Sequence, residues 1–384
     1  MARYRSAIIA CGTIARCHAR GWQGVPDVDL VAIADSNKQA RDEFGAFFNV
    51  PESGRFADYR QMLDEVRPDF VDVCSWHGLH AEMVIAAAAR GPKAILSQKP
   101  MALSLGEADQ MLTACAREGV KLIVGHQRRH LAGWLEAKRQ IDQGIIGNVV
   151  QVTINSGTLL NVLSHDVNMA LFLLGDRPVE WVMGAVERTT DRFERSFPCE
   201  DAAMGIAQVE GGVQIVMSAA LPTGGRGHGA RIIGTDGIME LGVSRPPLEE
   251  IRSDGNMRAP EGSSAKYNDE NGYAQVLRVG GDRWEKIEAP WHDPFVHMAQ
   301  EAVDWVDGKT DDPISTGAKG RATMEVLMAI YESARKRKRI DLPLRTLANP
   351  LKLMVDSGEL PVEWPGAYET RARIVRGEGM AWNA

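Results

Sequence analysis

Short apolar runs and longer stretches of helical periodicity alternate through the first third of the chain. Ala7–Ala10 precedes a helical pattern over Ile14–Trp22, Leu30–Ala34 precedes Lys38–Phe47, and Phe70–Ser75 precedes His80–Arg90. Ala94–Leu96, a helix-like Leu105–Glu118 and Val120–Val124 continue the rhythm. Unbroken apolar runs suit strands buried on both faces, and such strands interleaved with helices specify a parallel, doubly wound sheet. The pattern therefore predicts an α/β domain of Rossmann type over residues 1–125.

Beyond Gly125 the texture changes. Helices are expected at Trp134–Gln143 and Asp166–Leu174, and strands at Val149–Ile154, Val179–Val186, Ala203–Glu210, Val213–Ala219, Ala230–Ile233 and Tyr273–Val279. Strands gathered in sequence suggest an α+β domain with a largely antiparallel sheet. Ser244–Asn271 is rich in Pro, Gly and charge and reads as a long surface loop. Two late helices, Pro294–Val306 and Ala318–Arg335, complete a second domain over residues 126–345, and residues 346–384 form a C-terminal tail of little periodicity.

Composition narrows the function classes. A length of 384 residues suits two domains, and 44% hydrophobic with 25% charged residues suits buried cores in a soluble chain. A net charge of −7 gives no general attraction to phosphate backbones or anionic lipid, so neither nucleic acid nor membrane is an expected partner. The basic run Arg335–Arg339 ends a predicted helix, where cations complement the carbonyl end of the helix dipole. Five scattered cysteines without a C-x-x-C pair argue for reduced thiols in a cytoplasm-like compartment, with no disulfide framework and no metal site. The stretch free of formal charge, Gln143–His165, is broken by Asn148, Gln151, Asn155, Ser156 and Asn161, which excludes a bilayer span.

The first strand leads into Ala10-Cys11-Gly12-Thr13-Ile14-Ala15, an A-x-G-x-x-A variant of the dinucleotide fingerprint. Gly12 lets backbone approach a pyrophosphate, with Thr13 and Ile14 opening a helix whose free N–H groups face the ligand. Ala15 permits close packing of helix on strand. Asp35 closes the second strand about twenty residues further on, where a carboxylate can accept from both ribose hydroxyls. It could equally cap the helix starting at Lys38. A carboxylate there repels a 2′-phosphate, so NAD is expected over NADP, although Lys38 lies close by.

Two further segments carry a resemblance. Ser75-Trp76-His77-Gly78-Leu79-His80, followed after a helix by Gln98-Lys99-Pro100, resembles the glucose-fructose oxidoreductase and inositol dehydrogenase family, whose members carry T-P-N-x-x-H and E-K-P there. Asn161-Val162-Leu163-Ser164-His165 with Asn168 is similar to that family's D-x-G-x-H-x-x-D segment. Val124–Arg129 looks like its domain junction, and Asp293-Pro294-Phe295 with Gly308 fits its C-terminal pattern. The resemblance implies an NAD(P)-dependent oxidoreductase acting on a sugar, cyclitol or related polyol. It also implies an open C-terminal sheet often used to form homo-oligomers, here expected as a dimer or tetramer.

By position, Lys99 and His165 correspond to the family's active-site lysine and histidine, and Asn161 to its partnering aspartate. Ser75, Trp76, His80, Gln98 and Lys99 fall on the cofactor side. Lys99, Asn161, His165 and Arg129 fall on the substrate side, although Arg128 and Arg129 could instead form an interdomain salt bridge. Hydride transfer from a carbinol needs a base within reach of its hydroxyl, and a lysine beside a positively charged nicotinamide has its ammonium form disfavoured. Four residues depart from the family pattern: Ala10, Gln98, Asn161 and Asn168. An amide cannot offset an imidazolium or shuttle a proton, unless Asp166 or Asp201 takes that part. The departures keep open a non-catalytic sensor of dinucleotide or sugar on the same architecture.

Overall fold

The protein is described by a computed structural model covering residues 3–194, 197–219, 229–242 and 272–363. The loop expected over Ser244–Asn271 and the end of the tail lie outside these residues.

In the first part of the chain the elements run β1 (Tyr4–Ile9), α1 (Thr13–Gln23), β2 (Val28–Ala34), α2 (Lys38–Phe47), β3 (Arg55–Phe56), α3 (Tyr59–Val66), β4 (Phe70–Val73), α4 (His80–Ala88), β5 (Ala94–Gln98), α5 (Leu105–Arg117) and β6 (Lys121–Gly125). Six strands pair in the order β3-β2-β1-β4-β5-β6, every neighbouring pair parallel. Successive residues feed opposite faces: Ala7 and Ile9 pack in one apolar cluster and Ile8 in another. Burial on both faces explains why these strands read as unbroken apolar runs. Chain order reverses between β1 and β4, the switch point at which doubly wound sheets open a crevice above their carboxyl ends.

The chain continues through α6 (Ala132–Asp142), β7 (Val149–Asn155), α7 (Ser164–Leu173), β8 (Val179–Glu187), β9 (Phe193–Glu194), β10 (Phe197–Pro198), β11 (Ala202–Val209), β12 (Val213–Ala219), β13 (Gly229–Gly234), β14 (Gly237–Gly242), β15 (Tyr273–Arg278), β16 (Glu285–Ile287), α8 (Pro294–Val306), α9 (Gly317–Lys336), β17 (Ile340–Asp341) and α10 (Pro350–Asp356). A nine-stranded sheet forms in the order β16-β15-β14-β13-β7-β12-β11-β8-β17, with β7 and β12 its one parallel pair. The fold is thus a parallel Rossmann sheet followed by an open, largely antiparallel sheet. Helices α3 and α10, strand β14 and the short strands β3, β9, β10, β16 and β17 escaped the sequence pattern because each is short, β14 bounded by Gly and α10 opened by Pro.

Helix α9 covers one face of the nine-stranded sheet, its Ile330 lying over Gly184 and Gly205. On the other face Met183, Met204 and Ile206 are exposed, with Met183 directly opposite Ile206. Helix α8 returns to the first sheet and packs on α1: Phe295, Met298 and Ala302 share its apolar cluster. Contact is so close that a Cβ on Gly21 would stand 2.8 Å from the Phe295 carbonyl oxygen. Asp293 caps α8 through the Phe295 amide and accepts from Arg20 of α1 at 2.9 Å. No described helix is long and apolar enough to cross a membrane.

Candidate active site

The carboxyl edge of the six-stranded sheet gathers the candidate residues. Ala10 follows β1 in the left-handed region at φ 72°, the geometry a glycine normally supplies, and so departs from the fingerprint at a cost of about 1 kcal/mol. Gly12 is the N-cap of α1 and offers no side-chain cap; a Cβ placed on it would meet nothing within 4 Å. The first-turn amides of α1 are left without a capping side chain, beside an exposed Thr13 and a half-buried Ile14, which suits a pyrophosphate. Asp35 faces this turn: one carboxylate oxygen accepts from the Cys11 amide at 2.8 Å and the other from the Asn37 amide at 2.8 Å. Helix α2 is capped by Asn37, whose side chain accepts from the Ala40 amide, so the capping role left open to Asp35 falls to its neighbour. Each Asp35 oxygen keeps a lone pair for a ribose hydroxyl. The donor set therefore fits a dinucleotide.

Ser75 and Trp76 follow β4 at the same edge and are half-buried. His80, expected as a cofactor contact, is fully buried: Nδ1 lies 2.8 Å from the Pro100 carbonyl and Nε2 3.0 Å from the Ser75 carbonyl. Its ring lies between the loop after β4 and the loop after β5. Gln98 is likewise turned inward, its amide nitrogen 2.6 Å from His18 Nε2. His18 Nδ1 faces Asp72 at 3.2 Å, and Asp72 also accepts from the Trp22 indole. The departure at position 98 thus sits in a buried polar contact between β5 and α1.

Lys99 emerges half-buried from the end of β5, before a cis bond to Pro100. Its ammonium donates to the Asn161 carbonyl oxygen at 2.5 Å and to Asn161 Oδ1 at 3.0 Å. Asn161 rides on a π turn, Leu159–Leu163, in which the amides of Val162 and Leu163 both donate to the Thr158 carbonyl. Widened turns of this kind occur often at functional sites. His165 follows in the first turn of α7, buried, with its ring edge-to-face against His126 at 5.9 Å.

His126, just past β6, was read from sequence only as part of a domain junction. Burial and the charges of Arg129 and Lys99 hold its imidazole well below the usual pKa, so it stays neutral beside the lysine. Asp166 is completely buried and bonds Arg128 at 3.0 Å. Burial raises its pKa, against the pull of Arg128 and Lys99. Of the two carboxylates weighed as stand-ins for Asn161, Asp166 is the one beside Lys99. Asp201 instead binds the Thr189 and Thr190 amides.

Arg129 resolves toward structure. Its guanidinium makes a two-pronged bond to Asp176 at 2.7 and 2.9 Å and further bonds to Asn168 Oδ1, the Asn168 carbonyl and the Ile314 carbonyl. At 1% exposure it cannot also reach a substrate, which corrects its expected role. Asn168 accepts from Arg129 and donates to Thr323 at 2.8 Å, a double duty that an amide performs and a carboxylate cannot.

A Rossmann crevice with an open glycine cradle, a facing carboxylate and a lysine set among imidazoles defines a dinucleotide-binding oxidoreductase. More particularly, the chain belongs to the oxidoreductase family of glucose-fructose oxidoreductase and inositol dehydrogenase: residues 4–126 match its NAD-binding Rossmann fold and residues 138–342 its C-terminal α/β domain. D-apiose dehydrogenase of Paraburkholderia graminis is 23% identical over 377 residues, 93% of this chain and 94% of that one. Inositol 2-dehydrogenase of Rhizobium meliloti is 28% identical over 273 residues, 67% of this chain and 81% of the relative. Aldose-aldose oxidoreductase from Caulobacter crescentus, solved with glycerol, shares the fold at a TM-score of 0.72 and 20% identity, covering 88% of this chain and all of that one.

Proposed function

We propose that the protein moves a hydride between NAD and a carbinol or keto carbon of a sugar, cyclitol or related polyol, with Lys99 and His165 handling the proton. The single observation that carries this reading is Lys99 itself, standing at the carboxyl edge of β5 with its ammonium on Asn161 and buried imidazoles alongside. The cofactor, when bound, takes up the hydride in oxidation and returns it in reduction. For oxidation, Lys99 Nζ must be neutral to receive the substrate hydroxyl proton. Two Asn161 oxygens favour the ammonium, and the cationic nicotinamide of NAD, when bound, would oppose it. In reduction the same nitrogen returns the proton. His165 and Asn161 hold neighbouring hydroxyls, and Asp166 with Arg128 keeps α7 in place.

The sensor alternative weakens, because Gln98 and Asn168 serve packing networks, which leaves Ala10 at the cofactor turn and Asn161 beside Lys99 as the departures inside the site. Five buried, unbridged cysteines support a reducing, cytoplasmic setting. The exposed Met183, Met204 and Ile206 face supports a homo-oligomer through the nine-stranded sheet. Residues near 125 then separate a cofactor domain from a substrate domain.

Screening polyols with NAD and keto-sugars with NADH, followed by nicotinamide absorbance, tests the function. Turnover on at least one is expected; tight NAD binding without turnover on any would favour the sensor. NAD is also expected to bind at least about tenfold more tightly than NADP, because the Asp35 carboxylate accepts from a 2′-hydroxyl and repels a phosphate, an advantage of about 1.4 kcal/mol or more. Calorimetric titration with both cofactors checks this, and tighter NADP binding would remove Asp35 from the ribose site.

A further inference from the structure

The π turn bearing Asn161 is anchored from beneath. Its first amide, that of Leu159, donates to Glu200 Oε1 at 2.5 Å, and the other carboxylate oxygen accepts from Tyr331 on α9 at 2.7 Å. Glu200 and Tyr331 are both completely buried. Among the described residues no lysine or arginine pairs with Glu200, although an uncompensated buried carboxylate is costly. Leu159 N–H opens a helical turn and lacks an intrahelical partner, so the carboxylate satisfies an otherwise orphaned donor at the positive end of the segment. Thr158, immediately before, donates to Glu194 at 2.5 Å and fixes the approach to the turn. Two residues beyond Leu159 stands Asn161, whose two oxygens receive Lys99.

We propose that Glu200 is a positioning residue for the reaction: by pinning Leu159 it sets where the Asn161 oxygens stand, and through them the place and protonation of Lys99. This rests on the reading of Lys99 as the proton carrier. It also ties α9, through Tyr331, to the chemistry at the far side of the turn. Burial pushes the Glu200 carboxyl upward while its bonds to Leu159 and Tyr331 pull it down. A glutamine can keep both contacts in either case, its carbonyl accepting from Leu159 and its NH2 donating to the Tyr331 oxygen.

The test compares Glu200→Ala, Glu200→Gln and Tyr331→Phe in the full chain. For each, kcat, substrate KM and NAD affinity are measured, together with the pH at which Lys99 becomes reactive to acetic anhydride, read by peptide mass spectrometry. Glu200→Ala is expected to lower kcat about tenfold or more, since small displacements of a reacting group are expensive. NAD affinity should hold, and the Lys99 midpoint should move to lower pH because the ammonium loses its acceptors. The other titratable groups coupled to Lys99, Asp166 on α7 and the neutral His126 after β6, are untouched by these variants. Glu200→Gln should restore both readouts to near the parent. Tyr331→Phe should shift both in the same direction by less, and it serves if the alanine variant fails to fold. Unchanged kcat and an unchanged midpoint in Tyr331→Phe and any folded Glu200→Ala would overturn the proposal, as would a folded Glu200→Gln as impaired as the alanine form. Were the parent inert toward every polyol, the function would fall, yet the Lys99 midpoint would still decide whether Glu200 governs that amine.

Discussion

Replacing Lys99 by alanine is expected to lower the rate of the chemical step by about 10²–10⁴-fold while NAD affinity stays within about threefold of the parent. The substitution leaves the Gly12 turn and Asp35 in place, so cofactor binding keeps its main contacts. What is lost is the amine at the carboxyl edge of β5 that bonds Asn161, and with it the group proposed to exchange a proton with a reacting hydroxyl. Single-turnover hydride transfer and calorimetry on one preparation give both quantities. An unchanged chemical rate would take Lys99 out of the mechanism.

A second large effect is expected on stability. Arg129→Met should destabilise the fold by about 2–4 kcal/mol, somewhat less than the loss of one member of a fully buried ion pair because the stranded Asp176 is half-buried. The methionine preserves length and apolar contact with Phe172, over whose ring the guanidinium now lies at 5.3 Å. Yet it leaves Asp176 with only the more distant Lys319, at 3.7 Å, and leaves the Asn168 and Ile314 carbonyls without this donor. Denaturant unfolding measures the change. Should stability hold while substrate KM climbs, Arg129 would be a substrate contact after all.

These two residues also mark the reach of the sequence. Lys99 stood out in the sequence because Gln98-Lys99-Pro100 resembles the family's E-K-P segment; its place at a strand end, the edge that collects ligands in doubly wound folds, would alone have suited an ordinary exposed lysine. Arg129 did not, since a basic pair after a strand fits substrate and salt bridge equally, and only the convergence of Asp176, Asn168 and Ile314 from distant positions decides between them. The same holds for Gln98: its departure from the family pattern looked like retuned chemistry, whereas its partner His18 lies on α1, eighty residues away. His126 showed only as part of a domain-junction segment and Glu200 left no signal, because a lone histidine and a lone buried carboxylate have no periodicity of their own. Secondary structure followed the apolar rhythm well where runs were long, and missed α3, α10, β14 and the two- and three-residue strands where they were short.

The return of α8 to α1 bears on how such enzymes can be taken apart. Phe295 and Met298 complete the packing around the very helix whose first turn faces the cofactor, although they lie far downstream of the chain's crossing to the second sheet. The dinucleotide-binding half is therefore not a transplantable cassette: cut after Gly125, it would present a raw apolar groove along α1 where Phe295 belongs. Swapping substrate domains between relatives would succeed only if the graft carried the donor's Rossmann partner helix, or kept this one, so that inheritance of the two halves is coupled through a segment that neither sheet contains.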